Sequence, residues 1–93
     1  MALKVLVTYK MKPGHRDAFL ADTAAIRPEI LKEDGCLQYD YFASAEDADK
    51  VLLVETWTCR EAQQIHLTQP HMAGVRKAKE DHALDTALEL FDF

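Results

Sequence analysis

Four side chains in the second half of the chain have the types and order to do acid/base chemistry: Glu55, Trp57, His66 and His71. Glu55 falls between Leu53 and Trp57 on one face of an alternating segment. There an ionised carboxylate is costly without partners. Pressed against an indole in apolar surroundings, such a group tends toward a raised pKa, which suits a general acid or base near neutral pH. A half-exposed Glu at a sheet edge, or one paired with Lys or Arg, is the plainer reading of the same residue. His66 and His71 straddle a break between two short helical segments, with His71 near the start of the second. The positive end of that helix disfavours a charged imidazole there and leaves a neutral ring able to exchange a proton with a bound oxygen. Trp57 serves as core, as the wall of a pocket for a planar ligand, or as both.

Other chemistries find less support. Glu55, His66 and His71 match by type a two-histidine, one-carboxylate iron site, but a five-residue spacing across a helix break does not enforce coordination distances, so no metal is expected. Cys36 and Cys59 have no basic activator beside them. If the hairpin between them turns near Asp47–Ala48, they lie almost opposite one another, yet free thiols are the expectation in a reducing compartment. There is no glycine-rich phosphate loop, no serine elbow and no zinc spacing.

The elements that must position these residues alternate between period 2 and period 3.6. A strand over 3–10 buries Leu3, Val5, Val7 and Tyr9, and Pro13-Gly14 ends it, with Pro13 suited to the first turn of a helix. Phe19, Thr23, Ile26 and Ile30 make one helical face over 15–32. Pro28 demands a kink or restart near Ala25–Arg27, and Gly35 is expected as a left-handed cap. Strands follow at 36–44, with Leu37, Tyr39 and Tyr41 on one face, and at 50–58, joined by the polar loop 45–49. Thr58-Cys59-Arg60-Glu61 reads as a capping box. Pro70 is placed in the first turn of a helix whose inward face carries Met72, Val75 and Ala78–Lys79. A last strand spans about 86–93. The order β-α-β-β-α(α)-β is ferredoxin-like, an α+β fold with a four-stranded antiparallel sheet. Helices cover one sheet face. The other face also reads as largely apolar and must be covered by something else.

Ninety-three residues fit one domain, 1–93, yet 48% of them are hydrophobic. The surplus points to a homodimer. The net charge of −5 and scattered cations argue against nucleic acid. With no signal-like start and no apolar run near ~18 residues, a cytoplasmic protein without membrane partners is expected.

The segments Glu33-Asp34-Gly35-Cys36-Leu37-Gln38-Tyr39, Val54-Glu55-Thr56-Trp57 and His66-Leu67-Thr68-Gln69-Pro70-His71, in this order and spacing, resemble the antibiotic biosynthesis monooxygenase (ABM) domain family. The resemblance runs over nearly the whole chain. It implies a dimeric α+β barrel built sheet to sheet, with a pocket between sheet and helices in each subunit. It also implies oxidation of a small hydroquinone or anthrone-type aromatic by O₂ without metal, flavin or haem. On that expectation Glu55, His66 and His71 are catalytic, while Trp57, Tyr39, Phe19 and Met72 confine the substrate. Function is scattered within the family. An isomerase of a small phosphorylated metabolite and a non-catalytic ligand-binding dimer are the alternatives. Haem degraders of this kind rely on an Asn, and this chain has none.

Overall fold

A computed structural model describes all 93 residues. The elements are β1 (Leu3–Met11), α1 (Arg16–Ala24), α2 (Arg27–Leu31), β2 (Cys36–Ala43), β3 (Lys50–Trp57), α3 (Arg60–His66), α4 (Met72–His82) and β4 (Ala83–Asp92). The strands form one antiparallel sheet in the order β2-β3-β1-β4, the ferredoxin-like order expected from the patterning. Leu3, Val5, Val7, Tyr9 and Met11 of β1 are buried, as are Val51, Leu53, Glu55 and Trp57 of β3. Their alternation turns one sheet face toward the helices, where Phe19, Ile30, Met72, Val75 and Ala78 complete the core. No helix is long and apolar enough to cross a membrane.

The proline and glycine signals act where they stand, though not always in the anticipated way. Pro28 splits the first helical segment, which resumes as α2 with the proline in its opening turn. Pro13 does not enter α1. It occupies a turn with Gly14 (φ +79°), closed by the His15 amide donating to the Lys12 carbonyl at 3.0 Å, as a type II turn requires. Gly35 has positive φ but does not cap a helix, since α2 ends at Leu31 with Lys32 as its right-handed C-cap. Its role is to allow close approach. A Cβ at Gly35 would lie 2.6 Å from Thr58 Oγ1 and 2.7 Å from Ala62 Cβ, whereas one at Gly14 would meet nothing within 4 Å. Gly35→Ala should therefore lose about 2–4 kcal/mol of stability, from backbone strain plus steric clash, and Gly14→Ala only about 1 kcal/mol. Urea unfolding of the two variants side by side checks this, and equal losses would refute the close-approach argument.

Other expectations are corrected. Leu37 does not share the inward face of Tyr39 and Tyr41. The register shifts between Cys36 and Gln38, so Leu37 is an extra residue that bulges outward and is exposed. Cys36 consequently pairs with Trp57 and not with Cys59, which lies beyond β3, and both thiols are free. The capping box does not form. Cys59 is the N-cap of α3 without a side-chain hydrogen bond, and the Thr58 amide instead donates to the Gly35 carbonyl at 2.9 Å. Pro70 precedes α4, with His71 as its N-cap. Lys79 is exposed, and β4 begins three residues early, at Ala83.

The second sheet face is more mixed than its sequence suggests. Leu6, Thr8, Leu52 and Val54 are half-buried there, and Phe42 and Phe91 are exposed. A polar row crosses the same face, in which Lys4 Nζ donates to Thr56 Oγ1 (2.8 Å) and Gln38 Oε1 (3.2 Å). At the end of α4 away from His71, His15 Nδ1 and His82 Nδ1 lie 2.9 Å apart while His82 Nε2 meets Asp22 at 2.9 Å. That contact ties the start of α1 to the end of α4 and needs one ring to donate and the other to accept.

Candidate active site

Glu55 and Trp57 point the same way because two residues separate them on β3. The Trp57 indole N–H donates to Glu55 Oε1 at 3.0 Å, and both residues are buried. Burial raises the Glu55 carboxyl to about 7; the indole N–H pulls it down and the nearby Glu33 charge pushes it up, but desolvation prevails. Near neutral pH this group is poised to give or take a proton.

His66, the last residue of α3, reaches back over the sheet. Its ring stands 4.6 Å from the Trp57 indole and 5.8 Å from the Tyr39 ring, centre to centre. Its Nε2 lies 3.9 Å from Glu55 Oε1, too far for a hydrogen bond and close enough to exchange a proton after a small shift. Its Nδ1 meets both oxygens of Glu33, at 3.1 and 3.0 Å. His71 arrives from the start of α4, where its Nε2 lies 2.7 Å from Glu33 Oε2.

The structure thus gathers Glu55, Trp57, His66 and Tyr39 directly and joins His71 to them through Glu33. Glu33 carries no role in the sequence reading. Its contacts span 33 and 38 residues of chain, and the only local signal is an acid two positions before a glycine. Phe19 lies one ring further on, against Tyr41 (5.9 Å) and Tyr9 (5.0 Å), and Met72 sits in the core. Trp57, Tyr39 and Phe19 are all buried, and Tyr39 is held in its phenol form because burial pushes its pKa up. A cleft of about 380 Å³ lies between the α2–β2 connection and α3, bordered by Glu33, Asp34, Gly35, Cys59, Ala62 and Ile65 among others. A larger groove near Arg76 and Leu84 has none of the paired acid and imidazole groups.

A strand-borne acid lies against an indole, with a histidine from each of two helices beside them, and comparison with known proteins identifies the family. The model of the family described as "Antibiotic biosynthesis monooxygenase" matches residues 2–78. The chain belongs to this family. Among curated relatives, the Escherichia coli K12 protein named "Probable quinol monooxygenase YgiN" is 28% identical over 98 residues, covering 95% of this chain and 94% of the relative. The Bacillus subtilis protein named "Putative monooxygenase YcnE" is 32% identical over 78 residues, 82% of each chain. The crystal structure of PA3566 from Pseudomonas aeruginosa superimposes with a TM-score of 0.88 over 99% of this chain and 93% of that one, at 23% identity. This last likeness is one of fold. Membership in the ABM family implies a small-molecule substrate, and both curated relatives carry monooxygenase names.

Proposed function

We propose that this ABM-family chain is a cofactor-independent monooxygenase. Its substrate is a small aromatic of hydroquinone or anthrone type, oxidised with O₂ after removal of a phenolic proton. The observation that carries this reading is the buried carboxyl of Glu55, raised to about 7 and set between the Trp57 N–H and the His66 ring. An imidazole takes the substrate hydroxyl proton, and the resulting electron-rich anion passes an electron to O₂. For an anthrone, the methylene becomes a carbonyl by gaining one oxygen atom, while the other leaves as water with the two methylene hydrogens. Trp57 and Tyr39 pack on the His66 ring and hold it in place for the proton transfer.

The cleft beside Glu33 supports an uncharged substrate. Glu33, Asp34 and Glu61 border it, with no Lys or Arg among its lining residues, which favours a neutral phenol over a phosphorylated metabolite. The half-buried Leu6, Leu52 and Val54 with exposed Phe42 and Phe91 support a homodimer built sheet to sheet, and the whole reading is of a cytoplasmic enzyme.

Oxygen uptake against a panel of hydroquinones and anthrones, with an anaerobic control, tests the reading. Uptake is expected with at least one substrate class, falling about 10²–10⁴-fold in Glu55→Gln and in His66→Ala. Equal turnover without air would make the chain an isomerase. Thermal stabilisation by ligand with no product would make it a binding module.

A further inference from the structure

We propose that Glu33 is the positioning residue of this site, fixing the protons of both imidazoles so that His66 Nε2 is the base atom. This rests on the acid/base reading above and specifies it. An ionised carboxylate only accepts hydrogen bonds. Both Glu33 oxygens lie within 3.1 Å of His66 Nδ1, so that nitrogen carries the proton. In the neutral ring the lone pair then resides on Nε2, the atom facing Glu55 at 3.9 Å. The same logic places a proton on His71 Nε2, 2.7 Å from Glu33, a length typical of a charge-assisted bond.

The two histidines are therefore not equivalent. His66 is buried between Trp57 and Tyr39, with its basic nitrogen directed at the acid, whereas His71 enters from the start of α4 with its side chain 22% exposed. When a substrate hydroxyl gives its proton to His66 Nε2, the imidazolium forms with its other N–H already on a carboxylate. That contact stabilises a charge which a site this dry would otherwise oppose. The proton then passes to an ionised Glu55 or returns to product. His71 holds the carboxylate from the other side, so that Glu33, which borders the cleft, does not swing into it.

The test is ¹⁵N NMR of the histidine rings in the full-length protein near pH 8, with turnover measured separately. In the wild type, His66 is expected to show a protonated Nδ1 and a bare Nε2. In Glu33→Gln, whose amide offers either an acceptor or a donor, that fixed assignment should be lost. kcat should fall about 10²–10⁴-fold with KM little changed and the pH profile displaced, and Glu33→Asp should recover part of it. A wild-type His66 protonated on Nε2, or a tautomer unmoved by Glu33→Gln, overturns the proposal. The wild-type spectrum alone reads the tautomer, so it decides even if Glu33→Gln fails to fold. The expected tautomer without any oxygen uptake would refute the monooxygenase reading while leaving the positioning role of Glu33 intact.

Discussion

Trp57→Ala should lose about 3–5 kcal/mol of stability, the range for truncating a fully buried large aromatic. Trp57 is 0% exposed, and its ring packs on His66 while its N–H holds Glu55. Truncation removes area, opens a cavity beside His66 and leaves a buried carboxyl without its donor, a combination of costs that the protein cannot relax away. Trp57→Phe separates these contributions. It keeps most of the apolar volume and deletes only the N–H, so its stability loss should be smaller. Because that N–H lowers the Glu55 carboxyl, its removal should raise the titration midpoint above about 7. A ¹³C-carboxyl titration of Glu55 in the two proteins measures this. A lowered midpoint in Trp57→Phe would contradict the bonding described here.

Glu55→Gln should make the protein more stable at pH 8 and remove a slope from its stability profile. Glu55 in the folded chain ionises near 7, against 4.5 for the free group. Between those values the folded state keeps a proton that the unfolded chain has released. Stability due to this group is thus fully present below about 4.5 and is lost as pH rises toward 7, at about 1.4 kcal/mol per unit where the two states differ by a whole proton. The total is of order 3 kcal/mol, after which the profile is level. Glutamine still accepts from Trp57 but never ionises, so the difference between variant and wild type should grow from near zero at pH 4.5 and level off above 7. The surface carboxylates Asp47, Asp81 and Asp92 are held low by their Lys or Arg partners. They contribute equally to both proteins and cancel. Urea unfolding at pH 5, 6, 7 and 8 provides the measurement, and two parallel profiles would mean that Glu55 is solvated.

Strand and helix order was legible because the patterns are local. Leu3 to Tyr9 alternate over a length that only a half-buried strand explains, and Pro28 breaks a helix wherever the rest of the chain goes. Glu55 was legible for the same reason, as an acid at an inward position of its own strand. What failed depended on contacts distant in sequence. The capping box at Thr58 gave way because the Thr58 amide is claimed by Gly35, and the inward place read for Leu37 gave way to a bulge that local alternation does not encode. Glu33 escaped because an acid in a connection looks solvated until two helices deliver imidazoles to it. The groups assembled at the site come from five separate elements or connections, and no sequence window contains them together.

The site occupies one end of the molecule. Glu33, the end of β3, His66 and His71 all gather there, while the loop between β2 and β3 and the His15–His82 contact lie at the other. For anyone attaching the protein to a surface, a dye or a fusion partner, that polarity has a practical meaning. Both native thiols are on the wrong side for neutral handling, since Cys36 pairs with Trp57 and Cys59 borders the cleft. Maleimide chemistry would add bulk next to Trp57 and in the cleft that Glu33 borders. Residues 44–49 join two strands whose other ends carry the working groups, which makes that loop the natural anchoring point.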